Sequence, residues 1–204
     1  MTVLSRLRAE GTKVSNVTID GTGLNGDVTS AAIIGALSGN NTLKGDCEVD
    51  NINLTNCKNG SGFNEVKKVT NTNVSQPANN KKETFISIKN ANYIENCNVD
   101  GYIYYTAQNT QENPGKILNV TVNCDVNPTL APITLSGATY CTVENCRIKA
   151  PQYTMYSIRE LTTANYNTIK DNKIYRVSDT ECLVNKLGAN TTETNTQYFS
   201  AAEF

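Results

Sequence analysis

Seven stretches of this chain repeat one six-residue pattern: aliphatic, any residue, Asn (Asp in the last copy), small or apolar, any residue, aliphatic. The clearest copy is Val143-Glu144-Asn145-Cys146-Arg147-Ile148. The others are Val14-Ser15-Asn16-Val17-Thr18-Ile19, Val49-Asp50-Asn51-Ile52-Asn53-Leu54 and Val69-Thr70-Asn71-Thr72-Asn73-Val74. Then follow Ile94-Glu95-Asn96-Cys97-Asn98-Val99, Ile117-Leu118-Asn119-Val120-Thr121-Val122 and Ile169-Lys170-Asp171-Asn172-Lys173-Ile174. Successive copies begin 35, 20, 25, 23, 26 and 26 residues apart. Such spacing marks one supersecondary unit repeated with loops of unequal length.

Aliphatic residues at positions one, four and six cannot share a face of an uninterrupted strand, whose side chains alternate. They share one if the chain bends at position three. Asn suits the bend because it tolerates left-handed backbone angles better than other residues except Gly. Stacked turns would also let each Asn amide bond to the next, at the strand spacing of about 4.8 Å. The expected ladder is Asn16, Asn51, Asn71, Asn96, Asn119, Asn145 and Asp171, around a column of Val, Ile, Leu and Cys.

This hexad resembles the parallel β-helix repeat of the pectin-lyase-like superfamily, over roughly residues 14 to 185. The implied fold is all-β, a right-handed parallel β-helix (solenoid) of about seven or eight coils. The expected division is a short capping or attachment helix at 1–12, the β-helix at 13–187 and a C-terminal arm at 188–204. The helix is read from Val3, Leu4 and Leu7 ending at Gly11, since an open first coil needs cover.

The formal net charge is −1, with Lys and Arg scattered, so no nucleic-acid partner is expected. No apolar run is long enough to span a membrane, and the first residues lack the apolar core of a signal peptide. Seven cysteines make an odd count, and Cys97 and Cys146 sit at inward position four. They read as reduced core thiols of a protein made in a cytoplasm. With no His and no Cys-x-x-Cys pair, neither a metal nor a cofactor is expected.

Between hexads a second apolar segment recurs: Phe85–Ile88, Tyr102–Tyr105, Pro132–Leu135, Tyr156–Leu161 and Glu181–Val184. Its β-branched and aromatic content marks a third strand per coil. The string Gly21-x-Gly23-x-x-Gly26 matches a dinucleotide fingerprint but lacks the βαβ context and reads as a turn. The polar segments 75–83, 107–115 and 125–129 read as loops.

Polygalacturonase-like members of the superfamily use an Asn-Thr-Asp element, an Asp pair, a Gly-His-Gly element and an Arg-x-Lys. Only the last occurs here, as Arg147-Ile148-Lys149. Glu160 and Glu181, on neighbouring coils, are the one carboxyl pair that stacking could bring to glycosidase spacing. Tyr102, Tyr104, Tyr105 and Tyr156, with Arg159, offer rings and hydrogen bonds suited to a glycan or a subunit interface. The resemblance extends to bacteriophage tailspikes. The expectation is therefore a virion-associated spike, fibre or capsid-decoration protein, made in a host cytoplasm. It would be homotrimeric, contact other virion proteins and bind polysaccharide. The alternative is an extracellular polysaccharide lyase or glycoside hydrolase.

Overall fold

At every hexad the backbone turns into the left-handed region on the third residue. In the computed structural model, φ is 60° at Asn16, 52° at Asn51, 51° at Asn71 and 55° at Asn96. It is 54° at Asn119, 52° at Asn145 and 57° at Asp171. The structure describes residues 4–5, 13–21, 32–35, 47–56, 61–77, 86–124, 131–149, 156–176, 178, 182–200 and 203.

The strands are β1 (Leu4–Ser5), β2 (Lys13–Asp20), β3 (Ala32–Gly35), β4 (Glu48–Thr55), β5 (Ser61–Asn64), β6 (Lys68–Thr70) and β7 (Asn73–Val74). Next come β8 (Ile86–Lys89), β9 (Tyr93–Glu95), β10 (Asn98–Asp100), β11 (Tyr102–Tyr105), β12 (Gly115–Leu118), β13 (Thr121–Asn123) and β14 (Ile133–Ser136). The last are β15 (Cys141–Glu144), β16 (Arg147–Lys149), β17 (Tyr156–Leu161), β18 (Thr168–Lys170), β19 (Lys173–Arg176), β20 (Leu183–Asn185), β21 (Thr192–Thr194) and β22 (Gln197–Ser200).

All named pairings are parallel, and no α-helix occurs among the described residues. One sheet has eight strands, in the order β1-β3-β5-β8-β11-β14-β17-β20. The other has 14 and folds into two wings along the Asn bends. β2 and β4 cross both wings; later coils split at the bend, as β15 and β16 do at Asn145. The result is a stack of parallel sheets of the β-helix type.

Register places like over like. Val49, Val69, Ile94, Ile117, Val143 and Ile169 form one inward column, and each is fully buried. Leu54, Val74, Val99, Val122, Ile148 and Ile174 form another. From the eight-stranded sheet come Phe63, Ile88, Ile103, Ile133 and Ile158, all fully buried. Burying one such side chain contributes about 1.5–3 kcal/mol.

Position four has its own chemistry. In three of the seven copies its side chain reaches the carbonyl two residues back: Thr72 Oγ1 donates to the Thr70 carbonyl at 2.8 Å, and Cys97 Sγ to that of Glu95 at 3.2 Å. Cys146 Sγ donates to the Glu144 carbonyl at 3.4 Å. Small side chains with a donor satisfy the bend without widening the core, which accounts for thiols there. All six described cysteines are buried and outside any disulfide; Cys57 lies outside the described residues.

Two boundaries differ from the sequence reading. Of the helix expected within 1–12, only Leu4–Ser5 are described, and they are a strand paired to β3. The unpaired edge of β3 offers these residues backbone partners that an isolated short helix would lack. The remainder of that stretch lies outside the described residues. At the other end, the arm expected from residue 188 contains β21 and β22, which extend both wings. Asn195, with φ 55°, makes the same bend and donates to Asp171 Oδ1 at 3.1 Å.

Candidate binding surface

Alternation along the eight-stranded sheet sends the neighbours of the buried Ile column outward. That outward column reads Asn64, Lys89, Tyr104, Thr134, Arg159, Asn185 in register. All are partly exposed except Thr134, whose hydroxyl donates to the Ala131 carbonyl at 3.2 Å. Arg159 lies over the Tyr156 ring, 5.3 Å from its centroid. Among the described residues no carboxylate reaches ion-pair distance of Lys89 or Arg159. Lys89, Tyr104 and Arg159 thus mark a strip about 14 Å long, three strand spacings, on a rigid sheet.

The structure separates the expected site residues. Tyr104, Tyr156 and Arg159 are at the surface, whereas Tyr102 and Tyr105 are buried, at 1 % and 0 % exposure. Tyr105 points inward in register with Leu135. Its hydroxyl donates to the Asn92 carbonyl at 3.1 Å and accepts from Asn109 Nδ2 at 2.8 Å. Burial pushes its phenol well above the usual range. Gly115 passes so close that a Cβ there would overlap the Tyr105 hydroxyl, so only glycine fits. Tyr102 and Tyr105 are core residues.

Glu160 is not a solvated acid. It pairs with Leu135, pointing into the core at 1 % exposure. Oε1 accepts from Asn167 Nδ2 and Thr191 Oγ1, both at 2.7 Å. Oε2 accepts from the backbone amides of Leu187 at 2.7 Å and Gly188 at 2.9 Å. Four donors occupy the carboxylate, which fastens the 187–191 turn to the coil before it. A carboxylate so committed has no lone pair aimed at a substrate. Glu181, its expected partner, lies outside the described residues. Among the described residues no group of three His, Cys, Asp or Glu could hold a metal.

Other surface chemistry was missed from sequence. Tyr140 and Tyr166 stack at 5.0 Å with an interplanar angle of 8°, and both adopt left-handed angles, φ 50° and 58°. Each lies five residues before a ladder position, Asn145 or Asp171, and that shared phase was the available signal. On the first wing, Lys68 and Lys116 flank the Tyr93 ring at 5.1 and 5.9 Å, and the Tyr93 hydroxyl donates to Glu95 at 2.9 Å. Arg147 and Lys149 lie on β16, where the Arg147 guanidinium sits over Tyr175 at 5.7 Å.

No family model matches the chain, and neither a curated protein nor a solved structure does.

Proposed function

We propose that this chain is a right-handed, pectin-lyase-like parallel β-helix that serves as a virion-associated structural protein and binds host-surface glycan. A spike, fibre or capsid decoration is the form intended, with copies associating side by side as a trimer. The observation carrying the reading is the outward strip of Lys89, Tyr104 and Arg159 with Tyr156 beneath the guanidinium. Rings offer flat apolar faces to sugar C–H groups, and the cations donate hydrogen bonds to hydroxyl or acidic substituents. Buried cysteines outside any disulfide agree with synthesis in a reducing cytoplasm. The catalytic alternative is weakened because Glu160 spends all four acceptor sites on the fold.

Screening the protein against immobilised bacterial surface polysaccharides tests the reading. A ligand should emerge whose affinity falls about tenfold or more in Tyr104→Ala and in Arg159→Ala, with unfolding midpoints near wild type. Equal binding by both variants, or retention of no glycan, would remove this surface from consideration. Light scattering tests the trimer separately.

A further inference from the structure

The end of the stack at β2 differs from the levels within the stack. β2 pairs with β4 along one edge and with no strand along the other among the described residues. Its inward residues Val14, Val17 and Ile19 are only half-buried, whereas Val49, Ile52 and Leu54 beneath them are at 0–1 % exposure. Among the described residues nothing pairs with this eight-residue edge or covers its apolar column, which makes it a template for another strand.

The order of residues in β2 says which strand fits. Lys13-Val14-Ser15-Asn16-Val17-Thr18-Ile19-Asp20 is chemically symmetric about the Asn16–Val17 junction. Reversed on itself, it sets Lys13 opposite Asp20, Val14 opposite Ile19 and Ser15 opposite Thr18, with the unlike pair Asn16 and Val17 at the corner. Opposite charges and aliphatic pairs facing across antiparallel strands are each favourable. Asn16, at φ 60°, bends the strand next to that centre. A two-fold axis through the corner of an L maps the L onto itself reversed, so the bend preserves the match.

The far end offers no such fit. There Glu193 stands in the column of Ile169, and Thr196 lies one hexad position beyond Asn195. A carboxylate over Val14 would disfavour head-to-tail stacking.

We propose that β2 is a self-association surface on which a second copy of this chain pairs its own β2 antiparallel, end to end, about a two-fold axis. The contact is isologous and closed. It is independent of the side-by-side trimer and of glycan binding, and it doubles whatever copy number the sides produce.

Charge exchange across the axis is the test. In Lys13→Glu alone, or Asp20→Lys alone, like charges meet twice and the mass in solution should fall to half. In an equimolar mixture the carboxylate introduced in one variant meets the ammonium introduced in the other. The second contact of that mixed pair keeps the native Asp20 against the native Lys13, and the full mass should return. Lys13 also pairs with Asp50 at 3.2 Å, and Asp20 accepts from Asn56 Nδ2 at 2.8 Å, so circular dichroism must first establish folding. A second variant leaves those charges in place: Ser15→Cys/Thr18→Cys should form an oxidised, dithiothreitol-sensitive dimer that wild type does not. An odd wild-type copy number, or mass growing without limit as concentration rises, overturns the pairing. So does a mixture no heavier than its components, or a folded double-cysteine variant that never cross-links.

Discussion

Asn119 has a ladder partner on each side: its amide donates to Asn96 Oδ1 at 3.2 Å, and its oxygen accepts from Asn145 Nδ2 at 2.7 Å. Two properties are joined there, a left-handed backbone and a bonded side chain, and substitutions can part them. Gly keeps the first and loses the second, so Asn119→Gly should cost about 1–2 kcal/mol. Ala loses both, so Asn119→Ala should cost about 2–3 kcal/mol. Urea midpoints give the ranking, and a more stable Ala variant would show that the ladder geometry is not what matters. The ladder itself has gaps with clear causes. Asn71 turns to Asp50 Oδ1 at 2.8 Å, and Asp171, lacking an amide hydrogen, has none to give Asn145. Asp50 also accepts from Thr70 Oγ1 at 2.8 Å. Bonds from Thr70, Asn71 and Lys13 hold its carboxyl at about 2, below the ordinary 3.8. A depressed folded value stabilises the protein above the unfolded value, and that contribution is lost as pH falls from about 4 through 2. Asp50→Asn should therefore flatten the acid limb of stability in that window, as read by thermal melts at pH 5, 3 and 2.

The elements show why some of this was legible beforehand and some was not. The ladder and inward columns could be read because hexad positions one, three, four and six each answer to a separate physical demand. Seven copies then repeat the answer. The third strand carries no such marker. A register shift falls between Tyr102 and Ile103, and one residue of slip exchanges core for surface, so Tyr104 could not be told from Tyr102 or Tyr105. Glu160 misled for another reason. A carboxylate reads as solvated unless its donors are visible, and three of them arrive from 27 to 31 residues further along. The final coil was hidden because Glu193-Thr194-Asn195-Thr196-Gln197-Tyr198 keeps the Asn but has no aliphatic at positions one and four. At this scale the inward thiols carry their own prediction. Burial pushes Cys97 up to about 11 and Cys146 up to about 12, and raises Cys141 as well. The native protein at pH 8 should thus leave all three unmodified by a thiol reagent, while urea-unfolded chain reacts within minutes. Peptide mass mapping distinguishes the cases, and rapid native labelling at Cys146 would contradict an inward position four.

Across the whole molecule, each coil touches only its neighbours, so stability is distributed along the stack rather than held in one centre. Coils with partners on both sides should open least, and the coil at the β21–β22 end most. Hydrogen exchange should accordingly find strong protection at β9, β12 and β15 and weaker protection at β21–β22. The last coil is short of apolar burial, with Tyr198 and Val184 only partly covered, and Glu160 compensates by binding the 187–191 turn through four hydrogen bonds. Glu160→Gln replaces one accepting oxygen with a donor that faces two other donors. The loss should be about 2–4 kcal/mol. In a nearest-neighbour stack that loss is local. Amides of β20, β21 and the 187–191 turn should exchange about 30-fold or more faster, which is what 2 kcal/mol amounts to. Those of β9 and β12 should be unchanged under the same conditions. Uniform acceleration along the chain would mean that the coils unfold as one unit, and Glu160 would then be a determinant of global rather than terminal stability.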